Sequence, residues 1–304
     1  MSLRKFLKKK KLLRLIKMSK KYLGDYLIEK GLLLITSLLV ILVLLLLMFI
    51  LIEAIPAFYE NGVLNFLFGL NWSADTNQFG IFPMIVGSVY VTLIALVLAV
   101  PLSISCAIFL EEIAPINLKN LFKPIIQTLA GIPSVIYGFF GLTLIAPIIR
   151  NTFGGSGLSI LTAAIVLALM ILPTIISLAQ DAIKSVPNYY REASWGLGSN
   201  RWQCIRSVVL PIALPGIITA IILGLGRAIG ETLAVLMLAG NVSAFPSSII
   251  SPVRTLTSNI ALEMGYASGI HYNSLFATAL ILFVIILLLM IVSSYFQNQY
   301  ALRG

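Results

Sequence analysis

The chain has 304 residues, of which 59% are hydrophobic and only 11% charged, and its formal net charge is +10. Soluble domains carry about a quarter charged residues, so the composition excludes an ordinary soluble domain and leaves length for several membrane spans. Eleven of the 21 Lys and Arg lie within residues 1–30, which points to a membrane surface as partner and away from nucleic acid.

Residues 1–23 alternate basic clusters with Leu, Ile and Phe. They read either as a helix lying on an anionic inner leaflet or as a basic tail. The apolar run that follows is too long for the hydrophobic region of a secretion signal, and no small-residue site closes it, so no cleaved signal is expected. Hydropathy predicts an all-α, polytopic helical bundle with spans near 31–52, 82–110, 125–149, 158–179, 212–240 and 274–296. Glu53 and Pro56 are expected to end the first span, and Pro101 to kink the second.

Six spans place both termini on one side. With the termini in the cytoplasm, the inner segments hold 18 basic residues and the outer ones two, Arg150 and Arg254. The positive-inside rule therefore sets the termini, and the polar segment between spans four and five, on the cytoplasmic side.

That segment, residues 180–211, is built for two short helices. Ser185 and Pro187 signal a helix start. Gly196 and Gly198 permit a left-handed ending. Ser199 or Asn200 can cap a second helix that runs to Pro211. Two readings stand side by side: a packed connector, and a docking knob whose Tyr190, Trp195 and Trp202 await a surface.

Span five contains GLGRAIGET, residues 224–232. An Arg inside a span costs at least about 2.5–3.5 kcal/mol on insertion scales. Helical spacing puts Glu231 one turn after Arg227 on the same face. The two read either as a buried ion pair that fixes packing, or as the polar lining of a passage where Arg227 meets an anion. A closed Arg227–Glu231 pair that opens when the anion arrives is the gate this spacing suggests. Gly224, Gly226 and Gly230 lack nucleotide-fingerprint spacing and read as small helix-packing residues. GGSG at 154–157 has no following Lys and is no phosphate loop. His271 reads as an ordinary loop residue, and Cys106 and Cys204 as neither a metal site nor a disulfide. No nucleophile stands beside a base and no carboxylates pair at an aqueous surface. No catalytic residue, metal site or bound cofactor is expected, so ATP would be used by a partner.

Glu192-Ala193, Gly198 and Val208-Val209-Leu210-Pro211 resemble the EAA loop of bacterial ABC importer permeases: E-A-A, three residues, G, nine residues, I-x-L-P. Ser194 replaces the second Ala and Val208 the Ile. LAGIPSVIYGFFGL (129–142), GLGRAIGETLAVLMLAGN (224–241) and FGIFPMIVGSVYVT (79–92) are similar to the PstC-type permeases of phosphate importers. The resemblance runs from about residue 65 to the C-terminus. It implies an ABC importer permease fold in the bacterial plasma membrane. A basic segment 1–30 and a first helix 31–52 precede an external loop 53–81. A core at 82–296 carries the coupling loop 180–211, and 297–304 form a tail. It implies that Glu192, Ala193, Gly198, Leu210 and Pro211 dock an ATPase subunit, and that Arg227, Glu231 and Thr232 lie on the translocation path. Its implied partners are a PstA-type sister permease, two ATPase subunits and an extracytoplasmic phosphate-binding protein. Two alternatives remain open. One is a related importer for sulfate, molybdate or a small solute. The other is a carrier or scaffold without an ATPase, which would show repeated half-domains with broken helices.

Overall fold

The computed structural model describes residues 3–301, with side chains described for 25, 26 and 28–295. The two readings of residues 1–23 turn on side chains outside that set, and Arg303 of the tail also lies outside the described residues. The chain divides into two units, 1–52 and 53–304.

Helix α1 covers Leu3–Asn61 and is apolar enough to span a membrane from Ile28. In the first unit, Thr36 and Ser37 donate their hydroxyls to the carbonyls of Leu32 and Leu34. Such back-bonding lets polar side chains sit in hydrocarbon. Glu53 and Pro56 do not end α1 as expected; the helix takes Pro56 into its interior. A single missing N–H and its ring are tolerated in membrane helices, where local adjustment meets the freed carbonyl.

In the second unit, α2 (Val63–Phe68) leads into a minimal hairpin, β1 (Trp72–Ser73) against β2 (Gln78–Phe79), with Trp72 opposite Phe79. The remaining spans are Phe82–Ile113, Ser134–Phe153, Ile160–Lys184, Arg201–Gly230 and Ile270–Tyr295. Together with Ile28–Asn61 they make six candidate spans among the described residues. The bundle is all-α, as its sequence implies, and its helices are α3 (Phe82–Ile108), α4 (Ile116–Ala130), α5 (Ser134–Phe140), α6 (Ala146–Phe153), α7 (Ile160–Lys184), α8 (Asn188–Gly196), α9 (Arg201–Cys204), α10 (Leu210–Gly230), α11 (Leu233–Leu238), α12 (Leu256–Glu263) and α13 (Ile270–Ala301).

Helix α7 is the axis of the unit. Its most apolar stretch is 67% buried, against at most 28% in any other span. Small side chains line the contact: Ala95 and Ala99 on α3, Ala164 and Ala168 on α7, Ala213 and Ala220 on α10 are all buried. Lipid tails are as apolar as Leu, so helices in a membrane gain from close backbone approach rather than from excluding water. At Gly216 an added Cβ would come within 2.5 Å of the Ala182 Cβ, and at Gly224 within 2.6 Å of Ile175.

Three π-helical turns follow one rule. The turns are Phe109–Ile113, Gly141–Ile145 and Ile205–Val209, and Pro115, Pro147 and Pro211 each stand two residues beyond. In each, the amide just before the proline bonds back to the first carbonyl of the turn, as Ala114 N does to Phe109 O at 2.8 Å. The wider turn gives room to a ring that cannot donate. Pro211 therefore does not end the second loop helix. α9, the turn and α10 join into one span that starts eleven residues earlier than the predicted 212.

Candidate functional site

Two of the predicted spans, 125–149 and 212–240, are interrupted in the structure. In span five, α10 stops at Gly230, and Glu231 turns out of the helix with ψ 128°. Thr232 leads into α11, and the Thr232 hydroxyl donates to Gly230 O at 3.2 Å. Between α4 and α5, the chain crosses Gly131-Ile132-Pro133, and Pro133 caps α5 with ψ 138°. A residue before proline is pushed out of the helical region, so the break follows from Pro133. The predicted third span, 125–149, ran through this point. The membrane-length helix instead begins at Ser134.

Arg227 lies on the last turn of α10 and joins the two breaks. Its Nη1 donates to the Thr174 hydroxyl on α7 at 2.7 Å, and its Nη2 to the carbonyl of Ala130, the last residue of α4, at 3.3 Å. The Tyr137 hydroxyl donates to the neighbouring carbonyl of Leu129 at 2.9 Å. The last carbonyls of a helix lack regular intrahelical partners; Arg227 takes that of Ala130, and Tyr137 joins the Ile132 N–H on that of Leu129. Beyond the breaks, α5 and α11 lie against each other. A Cβ at Gly138 would meet Met237 Sδ at 2.7 Å, and one at Gly141 would meet Leu238 at 2.7 Å.

The expected Arg227–Glu231 pair is absent. Glu231 lies past the end of the helix, so the one-turn spacing does not apply. Its Oε1 instead accepts the backbone N–H of Ala234 at 3.0 Å, capping α11. The backbone oxygen of Glu231 accepts the Thr257 hydroxyl at 3.0 Å, which ties the break to α12. The side chains of Arg227 and Glu231, bonded elsewhere, do not form a gate with each other in this structure. The four ion pairs among the described residues leave Arg227 without a carboxylate.

Residues 185–211 form the expected double-helical loop, with differences at both ends. Ser185 finishes α7 rather than starting α8, and its hydroxyl returns to Ala182 O at 2.7 Å. Pro187 is the N-cap of α8. Gly196 stays helical, while Gly198 alone takes the left-handed turn, at φ +82°. Asn200 and Gln203 cap each other's backbone amides, both at 2.8 Å. Ser194, the departure from the EAA pattern, bonds the Ser199 hydroxyl at 2.6 Å across the turn. Glu192 and Ala193 face solvent, Leu210 is half-buried and Pro211 exposed. Trp195, Leu197 and Trp202 are 49%, 90% and 58% exposed, an apolar cap left uncovered by the described residues.

Arg191 does not belong to that exposed surface. It is buried under α8 and donates to Glu112 at 2.6 Å, to Val186 O at 2.6 Å and to Ile183 O at 3.1 Å. Partners 79 residues apart carry no local signal, so the sequence alone did not suggest this latch. Thr174 gave no signal either. The Gly-x-Pro at 131–133 did, since such residues punctuate helices.

At the end of the bundle opposite this loop, Glu263 gathers a buried cluster. It accepts from Trp72 Nε1 at 2.7 Å, bonds His271 Nε2 at 2.7 Å and pairs with Arg254 at 2.6 Å. Burial pushes the carboxyl up. The bonds from Trp72 and His271, with the charge and hydrogen bond of Arg254, outweigh it and hold Glu263 below the usual carboxylate range. His271, expected to be an ordinary loop residue, is thus part of the joint that locks the hairpin, α12 and α13 together.

Residues 99–301 match the model of a family described as "Binding-protein-dependent transport system inner membrane component". The "Probable ABC transporter permease protein YqgH" of Bacillus subtilis (strain 168) is 42% identical over 258 residues, covering 83% of this chain and 84% of that protein. The "Phosphate transport system permease protein PstC" of Mesorhizobium japonicum is 38% identical over 252 residues, 76% of this chain and 77% of that one. A chain from the crystal structure of a bacterial alginate ABC transporter shares the fold, with a TM-score of 0.62 at 16% identity, over 90% of this chain and 96% of its own.

Proposed function

The chain belongs to the family of binding-protein-dependent transport system inner membrane components, and from its likeness to PstC permeases we propose that it conducts inorganic phosphate into the cell. It is an ABC importer permease and a multi-pass protein of the bacterial inner membrane. The observation that carries the anion reading is Arg227: a guanidinium inside a span, between two helix breaks, held by neutral oxygens alone. An anion stripped of water needs charge-assisted donors, and a guanidinium presents them in a planar fork. The names of several relatives at 32–38% identity point the same way.

In this reading Arg227, Glu231 and Thr232 line the path, with Glu231 shaping the break rather than pairing with Arg227. Glu192, Ala193, Gly198, Leu210 and Pro211 form the foot that docks an ATPase subunit on the cytoplasmic side, with both termini on that side. ATP is bound and hydrolysed by the partner, not by this chain. A PstA-type sister permease completes the path, two ATPase subunits drive it, and an extracytoplasmic phosphate-binding protein feeds it. Residues 1–30 form a basic cytoplasmic segment ahead of the first helix, and 82–296 the conducting core.

The test is labelled phosphate uptake in cells lacking this chain and complemented with it, with sulfate as competitor. Uptake restored by the chain and unaffected by sulfate supports the reading. A second reading is an importer for a different solute, favoured by the 42%-identical relative, whose name gives no substrate. Uptake suppressed by sulfate would favour it.

A further inference from the structure

α4 is bonded through side chains at its two ends, with a single apolar anchor between them, Ile126 packed with Leu110 and Ile176. Ile126 is its one buried residue among fifteen, and an apolar cleft of about 430 Å³, lined by Leu129, Tyr137, Leu172 and Ile176 among others, lies behind it. Within this chain, then, few apolar contacts oppose a sideways shift of α4 into that cleft. At its start, Lys119 pairs with Glu111. At its end, Arg227 and Tyr137 hold the carbonyls of Ala130 and Leu129.

Glu111 has a neighbour with a second attachment. Glu112 Oε1 accepts from Arg191 of α8 through Nη2 at 2.6 Å and Nε at 3.2 Å. Glu111 also accepts from Gln180, near the end of α7, at 3.4 Å. Both carboxylates ride on the single π turn Phe109–Ile113 and are only 9% exposed. Separating such a pair strands a buried charge, which is far costlier than moving the pair together.

We propose that the Glu111–Glu112 turn couples the docking helix α8 to α4, and that α4 carries the movement to Arg227. Glu111, Glu112 and Lys119 are then positioning residues for translocation. A displacement of α8 drags Arg191, and Glu112 follows. Glu111 moves on the same backbone and pulls Lys119, swinging α4 over the cleft behind it. The carbonyl of Ala130 leaves Arg227 Nη2, and that donor becomes free for an anion. Both end contacts act as two-position joints, as a switching element requires. The inference rests on the reading of α8 as the ATPase-docking helix.

The test uses the whole complex reconstituted in vesicles, with phosphate uptake and ATP hydrolysis measured together. Lys119→Met and Lys119→Gln should leave assembly and hydrolysis intact and lower phosphate moved per ATP by about tenfold, within the range of couplings in one ion-pair network. The exchanged pair, Glu111→Lys with Lys119→Glu, should recover most of that ratio, which a merely structural role does not predict. An unchanged ratio in both Lys119 variants, or an exchanged pair no better than the single variants, overturns the lever alone. A wild-type chain that brings down no ATPase overturns the functional reading, and the lever with it.

Discussion

Arg227 reaches from α10 to the hydroxyl of Thr174 on α7 at 2.7 Å, and that neutral oxygen is its shortest contact. Glu231, four residues on, spends its carboxylate on the amide of Ala234. A guanidinium locked to a carboxylate has its charge largely neutralised. One resting on a hydroxyl and a carbonyl keeps its charge available to an incoming anion.

Thr174→Val keeps the shape of the side chain and removes the acceptor. A hydrogen bond to a charged group is worth about 1.5–3 kcal/mol, and here one guanidinium donor is left bare. The expected result is a folded protein whose uptake shows an altered KM for phosphate, several-fold from wild type, with Thr174→Ser close to normal. Uptake kinetics of the two variants side by side check this; equal KM values in Val, Ser and wild type would remove Thr174 from the site.

Glu231→Gln retains an oxygen for the Ala234 amide, whereas Glu231→Leu removes it. Losing a helix cap costs about 0.5–2 kcal/mol. Thermal unfolding in detergent should place Glu231→Gln near wild type and Glu231→Leu clearly below. If both variants fall equally, charge rather than capping is what the position requires.

The spans, the double-helical foot and the intramembrane Arg227 were legible in the sequence because each is a local pattern: apolar length, capping residues at fixed offsets, a charge where none is expected. The breaks were less so. Gly131 and Pro133 announce one, but nothing local tells that Gly230-Glu231 ends a helix while Gly224 and Gly226 do not; Thr257, 26 residues later, takes the Glu231 carbonyl. The prolines misled in the other direction. Pro56 and Pro211 read as stops, yet α1 continues through the first and a π turn accommodates the second. Latches such as Arg191–Glu112 and Trp72–Glu263 join residues 79 and 191 positions apart, so only the folded chain brings them together.

The Glu263 cluster predicts an acid-sensitive joint. The folded-state pKa of Glu263 lies below its ordinary value, so on acidification the unfolded chain takes up this proton first. The stabilisation is complete above the ordinary carboxylate pKa and disappears as pH falls through the lowered one. Melting temperatures of the solubilised chain, followed from neutral to acid pH, should fall in that window. Glu263→Gln should melt lower at neutral pH and lose less on acidification. A variant with the same acid slope as wild type would place the sensitivity elsewhere.

Gly198 and Gly196 separate two demands on the docking foot. An added Cβ meets nothing within 4 Å at either position, so space within this chain is not at issue. Only Gly198 has a left-handed backbone, at φ +82°. Placing Ala there costs about 1–2 kcal/mol, while Asn tolerates the conformation better. At Gly196, inside α8, Ala should be neutral or slightly stabilising, since glycine weakens a helix by about 0.5–1 kcal/mol. The caps on either side, Ser194–Ser199 and Asn200–Gln203, hold the two helices whichever residue stands between them. A strained turn should therefore tilt one helix against the other and misplace Trp195 and Trp202 relative to a partner. Co-purification of the ATPase should rank wild type and Gly196→Ala first, Gly198→Asn next and Gly198→Ala last. Equal losses at both glycines would mean that the partner surface demands a bare backbone there, and that handedness is not the constraint.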